Sequence, residues 1–312
     1  MNLLKNWTLP IAMLVGALGY KVMGYLSFIT PYLIFTMLLL TFSKISLREL
    51  RPRLSHLYLL CIEIIGAIAI YYLLAPFDPI VAQGMMICII CPTATAAAVV
   101  TGKLGGNVAS ITTYTLLCNI AVAFVIPALF PIITNSSLNS QFSILNSQFS
   151  ILNSQFLSAF MHIMGRIFPL LICPFLLAQL IRWLLPKINT KLTSISGLAF
   201  YMWAIALTIA MGMTVRSLIE KPTDTHTLIL LSIGSLIACL LQFFTGKAIG
   251  KASNDTIACG QSLGQKNTIL AIWICTAYLN PVTALAPGLY VIWQNFFNST
   301  QLYLARKKQQ KQ

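Results

Sequence analysis

Polar and charged positions in this chain fall in short breaks between long apolar runs, rather than alternating with apolar positions at a helix or strand period. The runs span 7–26, 28–44, 54–75, 79–101, 106–133, 158–184, 194–217, 226–247, 254–278 and 282–304. Each is near the ~20 residues that a helix needs to cross ~30 Å of hydrocarbon, so the pattern predicts ten transmembrane helices. The first run follows Lys5 as a signal peptide would. Lys21 and Tyr25 stand where small cleavage-site residues belong, so it is read as helix 1. Between helices 5 and 6 the heptapeptide LNSQFSI recurs from Ser137 to Phe156. Its copies are few, lack charged flanks and are rich in Asn, Ser and Gln, which predicts an outer loop over 135–157 rather than a coiled coil.

Composition strengthens the membrane reading: 58% of residues are hydrophobic and 8% charged, whereas about a quarter are charged in soluble domains. A net charge of +14 in a soluble protein would suggest nucleic acid. Here the positions of the bases decide otherwise. With the N-terminus inside, Lys5, Lys44, Arg48, Arg51, Arg53, Lys103, Arg182, Lys187, Lys191, Lys247, Lys251, Arg306, Lys307, Lys308 and Lys311 share one face, fifteen of the twenty bases. Lys21, Arg216 and Lys221 lie on the other, and Arg166 and Lys266 lie within helices. This asymmetry predicts cytoplasmic termini and accounts for the charge without nucleic acid. The eight cysteines all sit in apolar stretches, which argues against a disulfide framework, and Cys88 and Cys91 form the one C-x-x-C, read as helix packing rather than a metal or redox site.

Among the six acidic residues, Glu63 alone falls within an apolar helix. A charge at that depth costs at least ~3 kcal/mol unless it is paired, neutralised or solvated. Lys266 is the expected partner. It lies in SLGQKNTIL, where Gly264, Gln265 and Asn267 interrupt an apolar run and predict a broken helix. Helix 4 carries a second interruption at CPTATAAAVVTGKLGGN, where Pro92 removes a backbone donor and small residues permit close approach. Unwound backbone at membrane depth belongs in protein or beside a cavity, so the two breaks mark a binding site. They occupy the fourth helix of each set of five, which predicts two inverted repeats, 1–134 and 158–305, with a basic tail at 306–312. Arg166 reads as a snorkelling residue rather than a substrate ligand.

The motifs CPTATAAAVVTGKLGGNVA, GQKNTILA and PGLYVIWQN, in this order, make the chain similar to the bile acid:sodium symporter family, its bacterial ten-helix members in particular. The resemblance implies an all-α integral membrane fold in the bacterial inner membrane, with helices 4 and 9 crossing at their breaks. It further implies a panel domain of helices 1, 2, 6 and 7 and a core domain of helices 3–5 and 8–10. A small organic anion would bind near the crossing, with Asn267, Asn295 and Thr112 as substrate-binding candidates. The positions equivalent to the family's two sodium sites are Glu63, Ala97, Ala98, Ile111, Thr115, Ser262, Gln265 and Lys266. By this resemblance the family's oxygen ligands are lost at 97, 98, 111 and 262, and Thr115 is retained. Since sodium, like other hard cations, requires several oxygens, the expectation is transport without sodium coupling through those sites, no bound metal or cofactor, and Lys266 standing in for a bound cation.

Two other readings remain open. One makes Glu63 a proton carrier; the other makes the chain a transport-incompetent membrane sensor or scaffold. A membrane enzyme is disfavoured, because no Ser-His-Asp set, metal cluster or phosphate loop accompanies the breaks.

Overall fold

A computed structural model describes residues 2–136, 149–221 and 223–309. Its α-helices are α1 (Asn2–Leu18), α2 (Tyr20–Leu26), α3 (Thr30–Phe42), α4 (Leu54–Leu74), α5 (Pro79–Ile90), α6 (Ala97–Lys103) and α7 (Val108–Ser136). They continue as α8 (Phe149–Leu184), α9 (Pro186–Ser194), α10 (Leu198–Glu220), α11 (Thr225–Ala252), α12 (Thr256–Gly264), α13 (Thr268–Tyr278) and α14 (Leu285–Gln309). Among the described residues there is no β-strand. Among the same residues, six stretches are long and apolar enough to cross a membrane: Tyr20–Phe42, Leu54–Leu74, Val108–Ile133, Phe156–Leu184, Leu198–Glu220 and Thr225–Ala252.

Local chemistry sets the helix starts. Asp78 accepts from the backbone N–H groups of Ile80 and Val81 at 2.8 and 3.1 Å, and Pro79 follows it in the first turn of α5. This cap satisfies donors that the helix leaves unpaired. Thr227 on α11 donates to the other Asp78 oxygen at 2.6 Å, which ties the starts of α5 and α11 together. At the far end of α11, glycine permits a tight hairpin: a Cβ on Gly250 would lie 2.6 Å from the Asp255 carbonyl oxygen.

Several expected boundaries shift. The break placed at residue 27 is a 3-10 turn, Ser27–Ile29, and the chain is interrupted earlier, at Gly19. Helix overlaps both ends of the outer loop expected over 135–157, since α7 extends to Ser136 and α8 begins at Phe149; residues 137–148, which hold the first copies of the heptapeptide, lie outside the described residues. Extending an existing helix avoids the cost of nucleation, and Asn, Ser and Gln are each only tenths of a kcal/mol worse than the best helix formers. The connection between helices 6 and 7 folds as the separate helix α9.

Two packed groups can be distinguished. In one, α1 and α2 run along α10, and α3 lies against α8 and α10. In the other, α11 packs on α5, α12 and α14, α4 packs on α5 and α12, and α6 packs on α7 and α12. The groups meet where α7 touches α8, α10 touches α13 and α14, and α3 touches α13. One apolar core runs through both, from Phe42 and Phe175, whose rings meet edge to face at 5.5 Å, to Ile272 and Cys275 on α13.

Candidate functional site

Helices 4 and 9 stop where the sequence marks them. α5 ends at Ile90, Cys91 turns extended, and α6 resumes at Ala97; α12 ends at Gly264, and α13 resumes at Thr268. The two interruptions meet as an antiparallel bridge between Thr93 and Lys266. Ala94 N–H donates to the Gln265 carbonyl and Asn267 N–H to the Pro92 carbonyl, both at 2.8 Å. Unwound backbone buried from water must find partners, and here each break supplies them to the other.

Side chains from neighbouring helices complete the pairing. Gln294 on α14 accepts from Lys266 N–H at 2.8 Å and donates to the Lys266 carbonyl at 3.3 Å, acting like one rung of a third strand. Tyr290 donates to the Gly264 carbonyl at 2.9 Å, and Thr93 donates to the Ser262 carbonyl at 2.7 Å. Gln242 on α11 donates to the Cys88 carbonyl and to the Tyr290 hydroxyl, each at 3.0 Å. The carbonyls of Cys88, Ser262 and Gly264, at the ends of α5 and α12, are thus met by side chains.

Below this backbone crossing lies a buried ion pair. Lys266 Nζ is 3.0 Å from Glu63 Oε1, with neither side chain exposed. Glu63 reaches it because α4 buries one face, His56, Leu59, Glu63, Ala67 and Tyr71, at near-helical spacing. Tyr114 on α7 donates to Glu63 Oε2 at 2.5 Å, and the Cys118 thiol donates to Oε1 at 3.1 Å. The carboxylate is therefore met at both oxygens. The ammonium is held by charge proximity alone: its contact lacks hydrogen-bond geometry, and no other acceptor among the described residues meets it. Such pairs offset a desolvation cost of several kcal/mol per ion only when well placed.

On the other side of the crossing, between the two packed groups, a narrow cavity of about 60 Å³ is bordered by Met37 and Trp203 on one wall and by Thr95, Gln265, Asn267, Gln294 and Asn295 on the other. Asn267 caps α13 by accepting from Leu270 N–H at 3.3 Å, so the N-terminus of that half-helix opens beside the cavity. Asn295 donates to its own helix at the Val291 carbonyl. Gln265 is buried, and its Oε1 has no partner among the described residues. Because the Lys266 ammonium is directed to Glu63, the polar wall presents amides and hydroxyls rather than a formal charge.

Of the three substrate-binding candidates, Asn267 and Asn295 border this cavity; Thr112 is half-buried on α7 and does not. Of the sodium-site equivalents, Ala97, Ala98 and Ile111 pack with Ala258 as a small apolar cluster. Thr115 donates to the Ile111 carbonyl of its own helix. Ser262 is buried on α12, and Gln265, Lys266 and Glu63 stand as described above. Among the described residues no group of three His, Cys, Asp or Glu converges to hold a metal. Sequence reasoning missed Tyr114, Cys118, Gln242, Tyr290 and Gln294. Gln242 and Gln294 carried a signal, since each is an uncharged polar residue deep in an apolar run.

Two broken apolar helices that satisfy each other's backbone, set among six membrane-length helices, define an integral membrane protein of the transporter class. A family model matches residues 33–306, and the chain belongs to the SBF-like CPA transporter family, which is related to the bile acid:sodium symporters. The resemblance read in the motifs is thus to a related family. No match to the chain is found among curated proteins.

Proposed function

We propose that this protein is a secondary transporter that carries a small organic anion by alternating access across the bacterial inner membrane, with both termini in the cytoplasm. In this reading ten membrane helices form two inverted sets of five. The α1–α3, α8 and α10 group is the panel, the remaining membrane helices are the core, and substrate enters between them at the crossing. The observation that carries the reading is the N-terminus of α13 and its cap Asn267 opening on an amide-lined cavity between the groups. A half-helix N-terminus favours an anionic group, and the amides orient it. Met37 and Trp203 on the facing wall suit the apolar body of such a molecule.

Lys266 takes the structural place of a bound cation: its fixed charge balances Glu63 beneath the crossing, where ligand oxygens would otherwise converge. Ala97, Ala98 and Ile111 leave no hard ligands at the corresponding positions, so sodium coupling through them is lost. The test begins with ligand-dependent thermal shifts of the purified protein against short carboxylates, sulfated compounds and steroid anions, followed by counterflow of the hits in proteoliposomes. Replacing sodium by potassium or choline is expected to change affinity and flux by less than about twofold. Saturable sodium dependence would overturn the uncoupled mechanism, and stabilising ligands that produce no flux would favour a sensor over a transporter.

A further inference from the structure

We propose that α9 lies in the plane of the lipid headgroups and binds anionic phospholipid. This inference rests on membrane insertion and not on the transport reading. α8 ends at Leu184, and Leu185 leaves helical geometry at φ −132° and ψ 60°. Pro186 then opens α9 as a separate short helix that packs against α8 and α3. At 100° per residue, Leu185, Ile188, Leu192 and Ile195 fall within an arc of about 80° on one side of this segment. Leu185, Ile188 and Ile195 are about half exposed, and Trp183 just before them is 79% exposed. In water such a stripe would be an uncompensated apolar patch; at a bilayer surface it has a solvent.

The charges lie where a headgroup would meet them. Lys187 and Lys191 are both exposed, one turn apart, and about 100° round from the centre of the apolar stripe. Asn189 and Thr193, on the other flank of the stripe, are half-buried, which leaves the lysine side free. No acidic residue occurs between Arg182 and Glu220, so nothing in the segment offsets the two cations. Arg182 is fixed beside them by donating to the Ser43 carbonyl at 2.8 Å, which brings Lys44 to the same end of the molecule. An apolar stripe flanked by lysines, with Thr190 and Ser194 beyond them, is the arrangement of an interfacial helix. Its lysine stems run along the acyl boundary while their ammonium groups meet phosphate. Attraction to anionic lipid rather than to zwitterionic lipid follows from the charge. The helix would then pin the α3 and α8 ends to one leaflet.

The full-length protein, reconstituted in phosphatidylcholine vesicles with and without phosphatidylglycerol, supplies the test. Lipid retention read by native mass spectrometry should favour phosphatidylglycerol, and K187Q with K191Q should reduce that preference by roughly tenfold, each lysine contributing a few-fold. Shallow-brominated phosphatidylglycerol should quench a component of tryptophan fluorescence that W183F removes, a readout that leaves the lysines intact. Equal lipid preference in the wild type and the double variant would overturn the proposal, as would the absence of Trp183 quenching. Competition by soluble glycerol phosphate as effective as the lipid itself would identify a free-phosphate site, and would overturn it too.

Discussion

Glu63 accepts hydrogen bonds from Tyr114 and Cys118, while its partner Lys266 has only the Glu63 carboxylate close by, so the two ends of the ion pair respond differently to substitution. Lys266→Met removes the cation and leaves a buried carboxylate without its counter-charge, which should cost about 3–5 kcal/mol. Glu63→Gln combined with Lys266→Met removes both charges and should regain most of that loss, as measured by thermal or denaturant unfolding in detergent. A double variant no more stable than the worse single one would mean that the pair does not set this energy. Tyr114→Phe deletes a hydrogen bond to a charged group and should cost about 1.5–3 kcal/mol. The same unfolding assay reads it, and a cost near zero would show that the phenol is not a working donor to Glu63. From the sequence, Glu63 and Lys266 stood out as the acid and base within interrupted or apolar helices. Tyr114 and Cys118 did not, because a tyrosine or cysteine in an apolar run is ordinary packing until the fold turns it toward a carboxylate.

At the scale of elements, the crossing stands on exchange of backbone partners, and Gln294 is the side chain that meets both polar groups of the Lys266 peptide. Gln294→Leu should therefore leave a buried N–H unpaired and cost about 1–3 kcal/mol. The loss should appear as faster hydrogen exchange at 265–267 before it appears elsewhere. Unchanged exchange there would mean that the bridge to Thr93 alone holds the break. Both interruptions were legible from Pro92 and from the Gly264–Asn267 cluster, because proline and polar residues inside a membrane-length run leave few alternatives. What closes them was not legible: Tyr290, Gln242 and Gln294 come from α11 and α14, and their register against the breaks is set by tertiary packing. α9 is not legible in the sequence for a different reason. Nine residues with two lysines fall below any spanning window, and a short amphipathic stripe acquires meaning only once the chain turns out of α8. The heptapeptide copy at Leu152–Phe156 has the composition of a loop, yet it continues α8, since propagation tolerates residues that would not start a helix.

At the scale of the whole molecule, the two packed groups share an apolar core and meet most closely where α7 lies against α8, and the cavity lies on their seam. Relative motion of the two bodies is expected because the polar lining between them would otherwise remain sealed from substrate. Met37 belongs to one group and Asn295 to the other, and both border the cavity. Thr95 borders it too, from the same group as Asn295. Cysteines introduced at 37 and 295, in a background lacking exposed Cys61 and half-buried Cys173, can be joined by a short reducible reagent. Joining them should lower substrate counterflow by about tenfold or more, with recovery on reduction, because opening the seam is then blocked. The pair 95 and 295, joined in the same way, should leave most of the flux intact, since it links two parts of one body. Equal inhibition by both pairs would show that the reagent merely plugs the cavity. Flux undiminished by the 37–295 link would mean that the seam does not open during transport.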